Sequence, residues 1–235
     1  MASRRTFILA GGVGARLRPQ TWVLPKPLMP LGDHTILERL LRDVRNAGIT
    51  DVTISLGYLG HLVEAVIGDG RSRGLTVEYT REPEPMGTAG ALSLIPSAVE
   101  DDDILLVLNG DTLTTLDFAA TVDDFAEGDA TAAMVCVQRE VVIDFGVVHS
   151  DPHGRLVSID EKPRLKQMVS TGINVLRGRA LRELPAGRVD MPNFLQSLAR
   201  QGHEVRCVIT DATWMDLGRP EDLIAANEMV EAGVI

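Results

Sequence analysis

The run Asp103-Ile-Leu-Leu-Val-Leu108 constrains this chain more than any other stretch. It has no polar alternation, so a strand built from it has no face to give to water. It fits only where both faces of a sheet are covered, as in the middle of a parallel sheet wrapped by helices. The stretches before it agree. Strands over Thr6–Ala10, Asp51–Leu56 and Leu75–Thr80 alternate with helices over Thr35–Ala47 and His61–Ile67, closed by Gly48 and Gly68. A short helix through Leu94 is expected with Thr88 as its N-cap, and a longer one over Leu116–Ala126. Repeated strand–helix units make right-handed crossovers and gather the loops after the strands along one edge. Ligands bind on that edge in such folds.

The later part of the chain mixes in antiparallel character. Strands are expected over Ala130–Gln138, Thr171–Leu176 and Val205–Ile209. A hairpin should join Phe145–His149 to Arg155–Asp160, with Asp151, Pro152 and Gly154 in its turn. Helices are expected over Asp190–Arg200, capped by Asp190, and over Pro220–Glu231, with proline at the first position. No linker, repeat or low-complexity stretch divides the 235 residues, so one domain is expected over 1–235.

Charge narrows the partners. A net charge of −10 argues against broad binding to nucleic acid or an anionic membrane, which needs a basic face. A local cation cluster could still hold a small phosphorylated molecule. No apolar run is long enough to cross a bilayer, and Met-Ala-Ser-Arg-Arg at the start does not resemble a signal peptide, so a cytoplasmic protein is expected. Cys136 and Cys207 sit in strand-like apolar stretches and read as buried free thiols. The five histidines are scattered without ligand spacing, which argues against structural zinc.

The 23 basic residues include only three lysines, Lys26, Lys162 and Lys166. Two of them, Lys26 and Lys162, stand directly before proline. In a chain that otherwise uses arginine, a retained compact ammonium suits a phosphate oxygen. Lys26 follows the glycine turn Gly11-Gly12-Val13-Gly14-Ala15-Arg16, which can bring backbone N–H groups close to an anion. A P-loop would need a Gly-Lys-Ser/Thr ending that is absent. A dinucleotide fingerprint would need glycine where Leu17 stands. A glycine turn with no ligand is the remaining alternative. Asn109-Gly110-Asp111 closes the apolar strand, and Asp111 reads either as a turn residue or as a metal ligand.

Several motifs, in order and covering nearly the whole chain, resemble the sugar-1-phosphate nucleotidyltransferases. They are Leu9-Ala-Gly-Gly-Val-Gly-Ala-Arg-Leu-Arg-Pro, Leu24-Pro-Lys-Pro-Leu-Met-Pro, Met86-Gly-Thr-Ala-Gly-Ala-Leu, Asn109-Gly-Asp, Phe145-Gly-Val-Val, Ile159-Asp-Glu-Lys-Pro, Thr171-Gly-Ile-Asn-Val-Leu and Trp214-Met-Asp-Leu-Gly. The resemblance implies an α/β fold: a Rossmann-like mixed, mainly parallel sheet with helices on both faces and an accessory sugar-binding half. The nucleotide half would cover about 1–126 and the sugar-phosphate half about 127–235. The reaction implied joins a nucleoside triphosphate to a sugar 1-phosphate and releases pyrophosphate, with Mg²⁺ as cofactor.

By that resemblance Leu9, Ala10, Gly11, Gly12, Gly14, Arg16, Lys26, Gly87, Thr88, Ala89, Asn109 and Gly110 hold the nucleotide. Asp111 and Asp216 hold the metal, and with Arg16 and Lys26 they form the catalytic set. Gly146, Glu161, Lys162, Gly172 and Asn174 hold the sugar phosphate. The Gly87–Gly90 segment is similar to that of guanylyltransferases acting on mannose, heptose or aminosugar phosphates, which favours GTP. Gln20 and Met86 depart from the family's usual leucines near the nucleotide. UTP, dTTP, CTP or ATP, or a non-sugar acceptor such as phosphocholine, are the alternatives. A non-catalytic nucleotide-sensing subunit is a further one, disfavoured by the intact charged set. Homo-oligomerisation is left open. The chain stops soon after the Trp214 motif, so no acyl-transferring tail is expected.

Overall fold

A computed structural model of the chain describes residues 2–96 and 98–235; Met1 and Ser97 lie outside the description. Its strands and helices, in order, are β1 (Arg4–Ala10), β2 (Pro30–Leu31), β3 (His34–Thr35), α1 (Ile36–Asn46), β4 (Asp51–Leu56), α2 (Gly60–Ile67), β5 (Thr76–Arg81), α3 (Gly87–Gly90), β6 (Ile104–Asn109), β7 (Thr112–Thr114) and α4 (Phe118–Glu127). They continue with β8 (Ala132–Val142), β9 (Val147–Ser150), β10 (Leu156–Asp160), β11 (Arg164–Arg177), α5 (Met191–Arg200), β12 (Val205–Thr210), β13 (Trp214–Asp216) and α6 (Pro220–Glu231).

Seven strands form the main sheet in the order β12-β8-β11-β6-β1-β4-β5. Neighbours are parallel except where β11 runs antiparallel between β6 and β8. The fold is therefore mixed α/β with a mainly parallel sheet. The apolar run of β6 lies in it, with Ile104 to Leu108 all buried. Each fully buried leucine there contributes about 1.5–3 kcal/mol. Alternate side chains feed two cores. Ile8, Leu106 and Leu108 pack with α1, α2 and α4, while Phe7, Leu105 and Val107 pack with α3 and α5. Helices thus cover both faces.

Several local expectations change. Thr88 does not cap the helix that contains it: Met86 holds the N-cap position, without a side-chain bond. The Thr88 hydroxyl instead accepts from Met191 N at 2.7 Å, at the start of α5. Asp190 does not cap α5 with its side chain, and its carboxylate faces Thr88 N at 3.4 Å. The two residues thus serve each other's helix across the core. Cys207 is exposed rather than buried, because β12 is an edge strand. Cys136 is buried. Burial, with the Cys207 thiol beside it, pushes its pKa up to about 11, which keeps it protonated.

β8 and β11 extend past their expected ends into a two-stranded arm. Its cross-strand pairs run from Met168↔Gln138, just past the last β12 pair at Thr210↔Val137, out to Arg164↔Val142. Residues 138–142 and 164–168 are exposed on both faces, so no alternation marks them in the sequence.

Helix α1 begins with a capping box. Thr35 Oγ1 accepts from Glu38 N at 3.2 Å, and Thr35 N donates to Glu38 Oε2 at 2.9 Å. Ile36 N then donates to Met29 O at 3.1 Å, so this cap is joined to the turn that carries Lys26. Burial raises the Glu38 pKa, but the Thr35 amide, Arg73 and the Thr35 hydroxyl outweigh it and hold the carboxyl below its ordinary 4.5. Thr35→Ala should cost about 1 kcal/mol in urea unfolding near neutral pH. Glu38's ionised contribution is present above pH 4.5 and is lost as pH falls through its lowered pKa, so wild type should lose that increment in the same acid window.

Candidate active site

The ends of β1, β4 and β6 meet with almost no side chain between them. Gly110 N donates to Leu9 O at 2.9 Å, and Tyr58 N donates to Gly11 O at 3.3 Å. A Cβ on Gly57 would lie 2.5 Å from Gly11 O, and one on Gly110 would lie 2.8 Å from Leu9 O. Gly14 sits at φ 60°, and its carbonyl accepts from Leu17 N and from the Thr21 hydroxyl, both at 2.9 Å. The glycine loop is thus held open from behind. Leu17 is buried in the core, so no glycine is wanted at that position.

Four charged side chains converge in front of the loop. Lys26 lies in a 3-10 turn, buried to 8% exposure. Its ammonium donates to Asp111 Oδ2 and lies 3.5 Å from Asp216 Oδ1. Arg16 Nη2 lies 3.6 Å from the other oxygen of Asp216. The carboxylates are neighbours because β13 pairs with β7, with Asp216 opposite Thr112. That pairing explains how residues 111 and 216 meet. Among the described residues no group of three or more His, Cys, Asp or Glu gathers as a metal cluster. Two carboxylates reached by one ammonium do form a hard oxygen donor pair, which is what Mg²⁺ takes from protein beside phosphate and water oxygens.

Three cavities share Asp111 as a common wall. One of about 260 Å³ is lined by Leu9, Ala10, Gly12, Gly14, Arg16, Lys26 and Gly110. A second of about 280 Å³ runs past Arg16, Asn109, Ser170, Gly172, Trp214 and Asp216. The third, about 530 Å³, lies between Gly11, Gly12, Gly57, Tyr58, Glu82, Gly87, Thr88 and Asn109. Gly172, at φ 76°, lets Asn109 approach, since a Cβ there would lie 2.2 Å from Asn109 Nδ2.

Other expected site residues lie elsewhere. Ala89 is fully buried in the α3/α5 core, with its N–H bonded to Val189 O at 2.9 Å. Asn174 lies inside the sheet at 4% exposure, away from these three cavities, and its Oδ1 has no hydrogen-bond partner. Regular alternation would put residues 172 and 174 on one face, but the register shift of β11 between Ser170 and Asn174, with Gly172 at φ 76°, separates them. Gly146, Glu161 and Lys162 flank β9 and β10 and are exposed, outside the three cavities. Gly146 and Glu161 are adjacent, since a Cβ on Gly146 would lie 3.2 Å from Glu161 Oε2. Lys162 holds a left-handed φ of 46°, uncommon for a residue with a side chain.

Three cleft residues are not singled out by sequence reasoning. Gly57 and Tyr58 follow β4, and Glu82 follows β5. The Glu82 carboxylate accepts from Ser55 Oγ at 3.1 Å and from Met86 N at 2.9 Å. The available signal was position alone: each follows a strand on the ligand-binding edge.

The nucleotidyl transferase family profile matches residues 5–233, almost the full length of the chain. The chain belongs to this family. Among its relatives, the low-salt glycan biosynthesis nucleotidyltransferase Agl11 of Haloferax volcanii is 30% identical over 232 residues, covering 95% of this chain and 65% of that protein. The mannose-1-phosphate guanylyltransferase of Mycobacterium tuberculosis is 31% identical over 233 residues, covering 97% of this chain and 64% of that protein. The chain therefore spans just under two thirds of the length of these relatives. A solved structure from Bacillus anthracis, in complex with a sucrose, superposes with a TM-score of 0.77 at 25% identity, covering 97% of this chain and 95% of the other. Family membership accounts for the order of the motifs, and the close strand ends give the glycine loop a physical reason. Gly57→Ala should push the Gly11 backbone out of place. Calorimetric titration should then show nucleotide affinity lowered at least about tenfold, with far-UV circular dichroism unchanged.

Proposed function

We propose that this chain transfers a nucleotidyl group from a nucleoside triphosphate, GTP by preference, to a sugar 1-phosphate, with release of pyrophosphate. The observation that carries this reading is the convergence of Arg16, Lys26, Asp111 and Asp216 where the three cavities meet. Family membership and the names of the relatives support the reaction class.

In this reading the triphosphate lies along Gly12 and Gly14. Arg16 neutralises the departing pyrophosphate, and Lys26 holds a phosphate oxygen of the nucleotide. Asp111 and Asp216 would hold Mg²⁺, which when bound supplies charge neutralisation of the phosphates. Gly146, Glu161 and Lys162, which flank the β9–β10 hairpin, would hold the sugar and its phosphate together with Gly172, which borders Asn109. A phosphate monoester is largely ionised at neutral pH, its second pKa being about 6, so an acceptor oxygen needs no general base. The chain's contribution is then positioning and fixed charge.

Glu82 supports guanine. A carboxylate only accepts hydrogen bonds, and guanine presents two adjacent donors, N1–H and the N2 amino group, on one edge. Ser55 and Met86 hold the carboxylate at the wall of the 530 Å³ cavity and leave it further acceptor capacity. Uracil and thymine present one donor between two acceptors and fit a carboxylate poorly. The relatives include uridylyl- and thymidylyltransferases as well as the guanylyltransferase of M. tuberculosis, so the choice of guanine rests on Glu82 and the Gly87–Gly90 segment. Cytoplasmic location and action as a soluble enzyme go with the same reading, and among the described residues no helix is long and apolar enough to cross a membrane.

A matrix of nucleoside triphosphates against sugar 1-phosphates, read by pyrophosphate release, tests this. GTP should give the highest kcat/KM, and no release in any combination would overturn the assignment. Asp111→Asn and Asp216→Asn should each cut kcat by at least about 100-fold with folding intact. Glu82→Gln should lower kcat/KM for GTP by about 10- to 100-fold and narrow its margin over UTP.

A further inference from the structure

Lys26 poses a question that its phosphate role does not answer. Its ammonium is turned to the two carboxylates: it donates to Asp111 Oδ2 and lies 3.5 Å from Asp216 Oδ1. It lies between the two carboxylates that would hold the metal. We propose that Lys26 is a resident counter-ion that keeps the Asp111–Asp216 pair closed to free divalent metal until a nucleotide draws the ammonium away. The proposal rests on the metal assignment made above and concerns how that site is loaded.

Four observations carry it. First, the Lys26 side chain is only 10% exposed and Asp111 is 26% exposed, so their contact is far less screened than a surface pair. Second, the backbone beneath Lys26 is fixed: Leu28 N donates to Pro25 O at 2.9 Å, and Met29 N donates to Lys26 O at 3.0 Å. The turn stays in place, and any movement falls to the side-chain torsions. Third, Lys26 also lines the cavity that holds Gly12, Gly14 and Arg16, so a triphosphate there presents a second anionic partner within the same side chain's reach. Fourth, Arg16 covers the outer oxygen of Asp216 from 3.6 Å but is 62% exposed, and solvent screens it. The buried ammonium is the main barrier.

The physical consequence is a competition. Metal arriving alone must displace a cation that has no other anion to go to. Metal arriving with a triphosphate meets an ammonium that can exchange carboxylate for phosphate. This also accounts for a lysine here in a chain with 20 arginines among its 23 basic residues. A compact ammonium on a flexible stem can pivot between partners, whereas a planar guanidinium fork is tied to its hydrogen-bond geometry.

Electron paramagnetic resonance of Mn²⁺, without nucleotide, tests the barrier. Lys26→Met should bind free Mn²⁺ at least tenfold more tightly than wild type, and the added change Asp111→Asn should abolish that gain. Arg16→Met should gain less than Lys26→Met. Equal Mn²⁺ affinity in wild type and Lys26→Met would overturn the proposal. The unsubstituted protein gives a second reading that does not depend on a variant folding. With only three lysines, ¹³C-lysine labelling gives three Cε signals, assigned by Lys162→Met and Lys166→Met. The Lys26 signal should move on adding Mg²⁺ with α,β-methylene-GTP and stay in place with Mg²⁺ alone. A full shift with Mg²⁺ alone would overturn the proposal. Failure of wild type and Lys26→Met alike to retain Mn²⁺, even with α,β-methylene-GTP present, would overturn the metal assignment itself.

Discussion

The contact of Lys26 with Asp111 and Asp216 ties together three stretches that are remote in sequence. Lys26 comes from the turn after the glycine loop, Asp111 from the end of β6, and Asp216 from β13. A partly buried carboxylate pair needs a cation, and a buried ammonium needs an anion. Each group therefore fixes the others. Removing either side leaves uncompensated charge facing the glycine loop. The cleft is organised by this charge balance as much as by the sheet beneath it.

The sheet delivers those groups with little freedom. β6 is buried throughout and runs beside β1, so Asn109 is level with Leu9 and Asp111 with the start of the glycine loop. The short β7–β13 pair then places Asp216 next to Asp111. Behind the loop, Gly57 and Gly110 remove the side chains that would separate the strand ends. α1 contributes from the other side, since its capped first turn is hydrogen-bonded to the Lys26 turn through Ile36 and Met29. Precision at the site comes from strand ends and short turns that are hydrogen-bonded to one another.

Much of this was legible in the sequence, for identifiable reasons. The uninterrupted run of β6 could be nothing but an interior strand. The alternation of strand and helix up to α4 followed from it. Asp111 and the glycine loop were readable because both directly follow strands. Asp216 was readable only through family resemblance, because nothing local marks the three-residue β13 or its pairing with β7. The arm was missed because residues 164–168 are exposed on both faces and keep no period of two. Ala89 and Asn174 sit within family motifs yet pack into the core, since a motif records a stretch of chain and not the direction of each side chain. Glu82 escaped notice because its significance depends on Ser55 and Met86, which hold its carboxylate at the cavity wall.

Among the described residues that line the three cavities there is no histidine or cysteine, and the one serine, Ser170, accepts a hydrogen bond from Gly172 N at 3.4 Å. In the proposed function the two substrates meet directly, from cavities that share Asp111 as a wall. The stereochemical course at the α-phosphorus tests that claim most directly. GTP made chiral at the α-phosphorus by sulfur substitution would be turned over with a sugar 1-phosphate and the product's configuration determined. Direct in-line transfer predicts inversion. Retention would require a covalent nucleotidyl–enzyme intermediate and would contradict the proposed function of the cleft.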